Sequence, residues 1–177
     1  MNKVAIHWFR NDLRVNDNPS LHFAAQNGCV IPIFINDTVN NAQKEFNLGE
    51  ASSWWLHHSL HSLDKSLDGR LNCYDGNPID IIKSLIAEND IESFSWNRVY
   101  SPWEIKRDIE IKALLKEKKI NVKTFNSTLL WEPWEILKDD NTPYKVFSPF
   151  YKKGCLIKHA GPRQTIDSVS SLNVEKK

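Results

Sequence analysis

The chain has 177 residues, 41% hydrophobic and 25% charged, with only 6 Gly and 8 Pro; this excludes a disordered or fibrous chain and suits one globular domain with or without a tail. No run approaches the roughly 20 apolar residues of a membrane-spanning helix. MNKVAIHWF lacks the apolar core of a secretory leader, and Cys29, Cys73 and Cys155 make neither a CxxC site nor a disulfide framework, so a cytoplasmic protein is expected. Net charge is +1 but uneven. Residues 1–97 carry seven Lys and Arg against twelve Asp and Glu (−5), and residues 98–177 carry sixteen against ten (+6), a modest footprint for an acidic partner.

Residues 3–9 (KVAIHWF) read as a buried strand. Asn18-Pro19 opens a helix, with Asn18 as cap and Pro19 at the first position. Residues 30–35 (VIPIFI) read as a second strand that Pro32 interrupts, and 36–49 as a loop. From Glu50 to Leu67, Leu56, Leu60, Leu63 and Leu67 form a helical stripe. A short strand at 70–74 follows. Asn77-Pro78 then starts a helix to about Asn89 with Ile79, Ile82, Leu85 and Ile86 on its apolar face. Strands at 93–97 and 120–125 flank a helix over 103–118, whose apolar face is assigned to Ile105, Ile109 and Ile111 to Leu115 and whose Lys-rich end suits the helix dipole.

Five alternations of strand and helix predict an α/β, Rossmann-like open parallel sheet with helices on both faces, and its strand order is taken as 3-2-1-4-5. Residues 129–151 break the pattern and read as a short hairpin turning at Asp139–Pro143. From Gly161 the chain is polar and reads as a tail or the start of a linker.

Several chemistries lack their signatures. There is no GxGxxG after the first strand, no GxxxxGK[ST] and no GxSxG. His57 and His61 have the i,i+4 spacing of a metal pair, but no HExxH surrounds them and no third ligand is evident. His7, inside a strand, reads as a satisfied core histidine. Of seven tryptophans, Trp8, Trp96 and one of Trp54 and Trp55 are assigned to core packing. Trp103 stands apart, at a helix start beside Glu104.

Ligands of open parallel sheets lie at the carboxyl ends of the strands, where the strand order reverses. With order 3-2-1-4-5 the reversal falls between strands 1 and 4. The loop Arg10-Asn11-Asp12-Leu13-Arg14 should therefore face the segment from Asn97 to Glu104, with Asn36-Asp37 close by. Charged hydrogen-bonding groups beside an aromatic plane suit a flat, polar-edged heterocycle.

WFRNDLRVNDNPSL (8–21) resembles the opening signature WFRxDLRxxDNxxL of the DNA photolyase/cryptochrome family. WNRVYSPWEIKRDIEIKALL (96–115) resembles the family segment with a tyrosine, an acidic residue and an Arg-Asp pair. NTPYKVFSPFYKK (141–153) resembles its PYxVFxPFxK run, and GEASSWWLHHSLHSL (49–63) is similar to bacterial pyrimidine-dimer photolyases of the plant-cryptochrome-like branch.

The resemblance implies an antenna-chromophore-binding domain over 1–160, a tail or linker over 161–177, and no FAD-binding helical domain. In that family the antenna passes light energy to FAD, which splits pyrimidine dimers in DNA. The implied cofactor is methenyltetrahydrofolate, with a deazaflavin or a flavin as alternative antenna, and FAD only through the helical domain. Partners are that domain and, through it, damaged DNA; no membrane is implied.

The implied site is Arg10, Asn11, Asp12, Leu13, Asp37, Trp103 and Glu104, with no catalytic residue and no metal ligand. Glu104 matches the carboxylate that holds the pterin ring, and Trp103 replaces a residue that is polar in some relatives. Arg14 and Asp17 are assigned to bracing the loop. Repair by this chain alone is not expected. The alternatives are a nucleotide-binding α/β module, or a basic domain that contacts DNA or a partner without a chromophore.

Overall fold

Asparagine side chains start two of the helices. Asn18 Oδ1 accepts from Leu21 N at 3.0 Å, and Asn77 Oδ1 from Ile79 N at 2.9 Å, each with proline next in sequence. The computed structural model describes residues 4–39, 48–158, 161–169 and 172–175. Lys3 of the expected first strand and residues 40–47 of the expected loop lie outside the described residues.

Strands β1 (Val4–Phe9), β2 (Cys29–Asn36), β3 (Asn72–Asp75), β4 (Ile91–Asn97) and β5 (Asn121–Phe125) form an all-parallel sheet in the order β3-β2-β1-β4-β5. Helices α1 (Pro19–Asn27), α2 (Glu50–Ser66), α3 (Pro78–Glu88) and α4 (Pro102–Glu117) make the crossovers. One core joins Ile6, Trp8, Ile33, Phe94 and Trp96 of the sheet to Ile82 and Leu85 of α3 and Ile111 and Leu115 of α4. The other joins Ala5, Phe9, Val30 and Phe34 to Leu21 and Ala24 of α1 and Leu63 of α2. Both faces are therefore covered, as an all-parallel sheet requires.

Pro32 costs the sheet no bond. Its carbonyl accepts from Asn72 Nδ2 at 3.1 Å. Residue 32 therefore turns its missing N–H toward β3, whose pairing starts one residue later at Ile33↔Asn72.

Three expectations need correction. Trp54 and Trp55 are both exposed, at 57% and 66%, because the buried stripe of α2 runs through its carboxyl half at Leu63, with Leu56 and Leu60 half-buried. On α4, Ile105 and Ile109 are exposed, whereas Arg107, Asp108, Ile111 and Leu115 face inward. Ion pairs at the sheet edge satisfy the two charged residues, so burial does not leave them uncompensated.

The polar stretch after Gly161 is also anchored, in part. Val174 is buried beside β2: Val30 N donates to Asn173 O at 2.8 Å and Glu175 N to Val30 O at 2.9 Å. Val169 and Leu172 pack against the core of α1 and α2. Residues 167–169 and 172–175 thus belong to the α/β unit.

Residues 128–166 form a second unit. Its expected hairpin contracts to one antiparallel bridge, Leu137↔Pro143, closed by Lys138 N to Thr142 O at 2.9 Å. A helical turn (Phe147–Pro149) then runs into a π-helical segment (Phe150–Lys158). Within it Gly154 is tightly confined: a Cβ there would lie 2.7 Å from Ile136 Cγ2 and 3.2 Å from Tyr144 Cε2.

Candidate functional site

Two polar layers meet at the carboxyl ends of β1 and β4. The layer on the α1 side is built from short side chains. Asn97 Nδ2 donates to Asp12 Oδ2 and, at 2.7 Å, to Asn18 Oδ1. Asn97 Oδ1 accepts from Ser20 N at 3.3 Å, and Asn18 Nδ2 donates to Arg14 O at 3.0 Å. His7 Nδ1 lies 3.0 Å from Ser20 Oγ. Burial drives the His7 pKa from 6.5 down to about 4, with Asp12 opposing and Arg10 reinforcing the shift. His7 is therefore the satisfied, neutral core histidine expected from its strand.

The layer on the α4 side is built from arginine and carboxylate. Arg10 Nη1 donates to both oxygens of Asp108, at 2.9 and 2.8 Å, and Arg10 Nη2 to the carbonyl of Asn97. Trp96 Nε1 donates to Asp108 Oδ2 at 2.9 Å. Arg107 pairs with Asp37 at 3.1 Å and Asp108 at 3.4 Å, and lies 3.8 Å from Glu104. Burial lowers the Arg10 pKa from its ordinary value, opposed by Asp108.

Indoles frame these cations. Arg10 and Arg107 carbons Cζ sit 4.9 and 5.0 Å from the Trp8 ring, and Arg107 is 5.1 Å from Trp103.

Arg107 thus brings together four of the seven expected residues: Arg10, through Asp108, and Asp37, Trp103 and Glu104 directly. Asp12 belongs to the α1-side layer. Asn11 is exposed on the surface, and Leu13 is half-buried against the core of α1 and α2. Arg10, Asp12 and Asp37 spend their hydrogen-bonding capacity on the protein itself. Glu104 is held more loosely, since 3.8 Å exceeds hydrogen-bond length. The cluster holds three carboxylates to two guanidiniums, which favours a ligand that offers N–H donors over a phosphate. Arg14 braces the loop as expected, donating to Asp17 O at 3.0 Å and Ser127 O at 2.8 Å.

The sequence reading left Arg107 and Asp108 out of the site. The available signal was their place on α4: Arg107 begins the i,i+4 row that Ile111 and Leu115 continue, and Asp108 lies beside it, three residues before Ile111. Charged residues on a buried row imply a buried partner. A cavity of about 540 Å³ opens at the opposite end of the sheet, lined by Lys83, Ile86, Asn89, Leu114, Lys118 and Ile120. It shares no residue with either polar layer.

Comparison with known proteins agrees with this architecture. Residues 5–167 match the family model described as DNA photolyase. The chain is 37% identical over 151 residues to a deoxyribodipyrimidine photo-lyase of Agrobacterium fabrum, covering 83% of this chain and 30% of that protein. A crystal structure of a bacterial class III photolyase from Agrobacterium tumefaciens superposes with a TM-score of 0.78 at 32% identity, over 100% of this chain and 37% of that one. An archaeal photolyase from Sulfolobus tokodaii, described with two FAD molecules and an implied light-harvesting cofactor, superposes with a TM-score of 0.74 at 25% identity, over 97% and 38%. The chain spans about a third of the length of these proteins. With the family model matched over most of its length and the α/β sheet shared with solved photolyases, the chain belongs to the DNA photolyase family, as its N-terminal α/β domain.

Proposed function

We propose that this chain binds a light-harvesting antenna chromophore at the carboxyl edge of β1 and β4. Trp103 and Glu104 would contact it, and Arg10, Asn11, Asp12, Leu13 and Asp37 would form the loop and frame behind them. The observation that carries this reading is the Glu104 carboxylate, side chain 13% exposed, loosely held at 3.8 Å from Arg107 and next in sequence to a half-buried indole. Two carboxylate oxygens can accept from the amino group and adjacent N–H of a pterin, and an indole offers a stacking face. Methenyltetrahydrofolate is the cofactor of choice. A deazaflavin is an alternative, and a flavin is a second reading, supported by the light-harvesting cofactor implied for the Sulfolobus photolyase.

In the whole protein we propose that an FAD-binding helical domain receives the energy and acts on damaged DNA. The domain described here would supply no catalytic residue of that reaction. The free thiols of Cys29, Cys73 and Cys155 suit a reducing cytoplasm. No described helix is long and apolar enough to cross a membrane.

The test is an absorption and fluorescence titration of the chain with methenyltetrahydrofolate, with FAD and a deazaflavin as controls. Saturable binding with a shifted folate band is expected. Glu104→Ala should weaken it by about 1.5–3 kcal/mol, as for loss of a charged hydrogen-bond partner. Unchanged affinity in Glu104→Ala would remove Glu104 from the site. Failure of all three chromophores to bind would overturn the reading.

A further inference from the structure

Helices α3 and α4 both end at the cavity of about 540 Å³ beside the starts of β4 and β5. Its apolar lining comes from the sheet and both helices. Ile91 and Ile120 are buried there, and Ile86 and Leu114 half-buried. The volume falls within the range of small-molecule sites, which are mostly apolar with a few fixed polar groups.

Asn89 is the fixed polar group. Its Nδ2 donates to Leu85 O at 2.8 Å, and its backbone carbonyl accepts from Ile91 N at 3.0 Å. The first bond sets the orientation of the amide, because only the nitrogen can donate. The oxygen, Oδ1, is left buried without a hydrogen-bond partner in a residue that lines the cavity. Buried acceptors are as a rule satisfied, so this one marks a place for a donor. The helix ends favour the same chemistry. Residues Glu88 and Glu117 close α3 and α4, and the carboxyl end of a helix carries partial negative charge. Around the cavity Lys83 and Lys118 stand against Asp90 and Glu117, all exposed. The two signs balance, so the lining does not select an ion.

We infer that this cavity binds a neutral, mostly apolar small molecule that presents an N–H donor. Its body lies against Ile86, Ile91, Leu114 and Ile120, and its N–H is taken by Asn89 Oδ1. The lining shares no residue with the antenna site, so the inference does not depend on a chromophore binding there.

Indole is a small probe with both features, and benzofuran replaces its N–H by an oxygen. In the intact, methyl-labelled chain followed by NMR, indole should shift the signals of Ile86, Ile91, Leu114 and Ile120 saturably, with a Kd of about 1 mM or tighter. Benzofuran turns an acceptor toward an acceptor and should bind at least about fivefold more weakly. In Asn89→Leu the two probes should bind alike. That change also removes the bond to Leu85, so Ala87→Trp, at an exposed lining position, gives a second variant. Its new side chain should fill the cavity and abolish the shifts. Circular dichroism and unchanged methyl signals of Leu21 and Val30, in the other core, check that each variant folds. Four results would each overturn the inference: no saturable shifts at the four lining residues, equal affinity of the parent for indole and benzofuran, a preference for indole kept in folded Asn89→Leu, or full indole affinity in folded Ala87→Trp.

Discussion

Arg10 and Asp108 lie 98 residues apart in sequence and meet through two hydrogen bonds of 2.9 and 2.8 Å, with side chains only 6% and 10% exposed. This pair joins the loop after β1 to α4, and Trp96 and Arg107 lean on the same carboxylate. A buried pair of this kind contributes little over a hydrophobic replacement, yet breaking it is costly. Asp108→Ala leaves Arg10 buried with only backbone oxygen to pair with and should destabilise the fold by about 3–5 kcal/mol. Asp108→Asn keeps the shape and one acceptor and should cost less. Urea unfolding of both variants measures the difference.

His7 makes stability depend on pH. Its folded pKa of about 4 lies below the ordinary 6.5. Between those values the unfolded chain takes up a proton that the folded chain refuses, so stability falls as pH drops from 6.5 toward 4 and the loss levels off below. The full contribution is about 3 kcal/mol. Urea midpoints compared at neutral and acid pH should show the decline. His7→Gln, which can still reach Ser20, should lessen it by that amount relative to the parent.

Gly154 admits no side chain. In Gly154→Ala the new methyl would meet Ile136 Cγ2 at 2.7 Å and the Tyr144 ring at 3.2 Å. Overpacking of this size costs about 1–3 kcal/mol. The damage should stay in the 128–166 unit. Hydrogen exchange should therefore speed up around Ile136 and Tyr144 while amides of β1 and β4 keep their protection.

Much of the architecture was legible because local signals agreed. Asn18-Pro19 and Asn77-Pro78 mark helix starts, apolar runs mark strands, and their alternation marks a parallel sheet. The period of the leucine stripe of α2 does not say which end of the helix the sheet reaches, so it cannot show that Trp54 and Trp55 both stand exposed. On α4 the apolar count favoured Ile105 and Ile109. Burial went to Arg107 and Asp108 because Arg10 and Asp37, far away in sequence, neutralise them. Periodicity within one helix cannot reveal partners 98 residues away. The anchoring of Val174 was hidden for the same reason: one valine in a polar stretch becomes a bridge only because Val30 waits beside it.

The outer flank of β2 is covered in three pieces. Val30 pairs with residues 173–175, Pro32 O takes the Asn72 side chain, and Ile33 onward pairs with β3. Open strand edges are templates for pairing between molecules. Proteolysis just before residue 172 would strip the first piece and bare the amide and carbonyl of Val30 in an apolar strand. The trimmed protein should keep its parallel sheet but gain a tendency to associate edge to edge. Light scattering of trimmed against intact protein over time would register it. Val174 thus serves twice, packing into the core of α1 and α2 and closing a strand edge that would otherwise stand open.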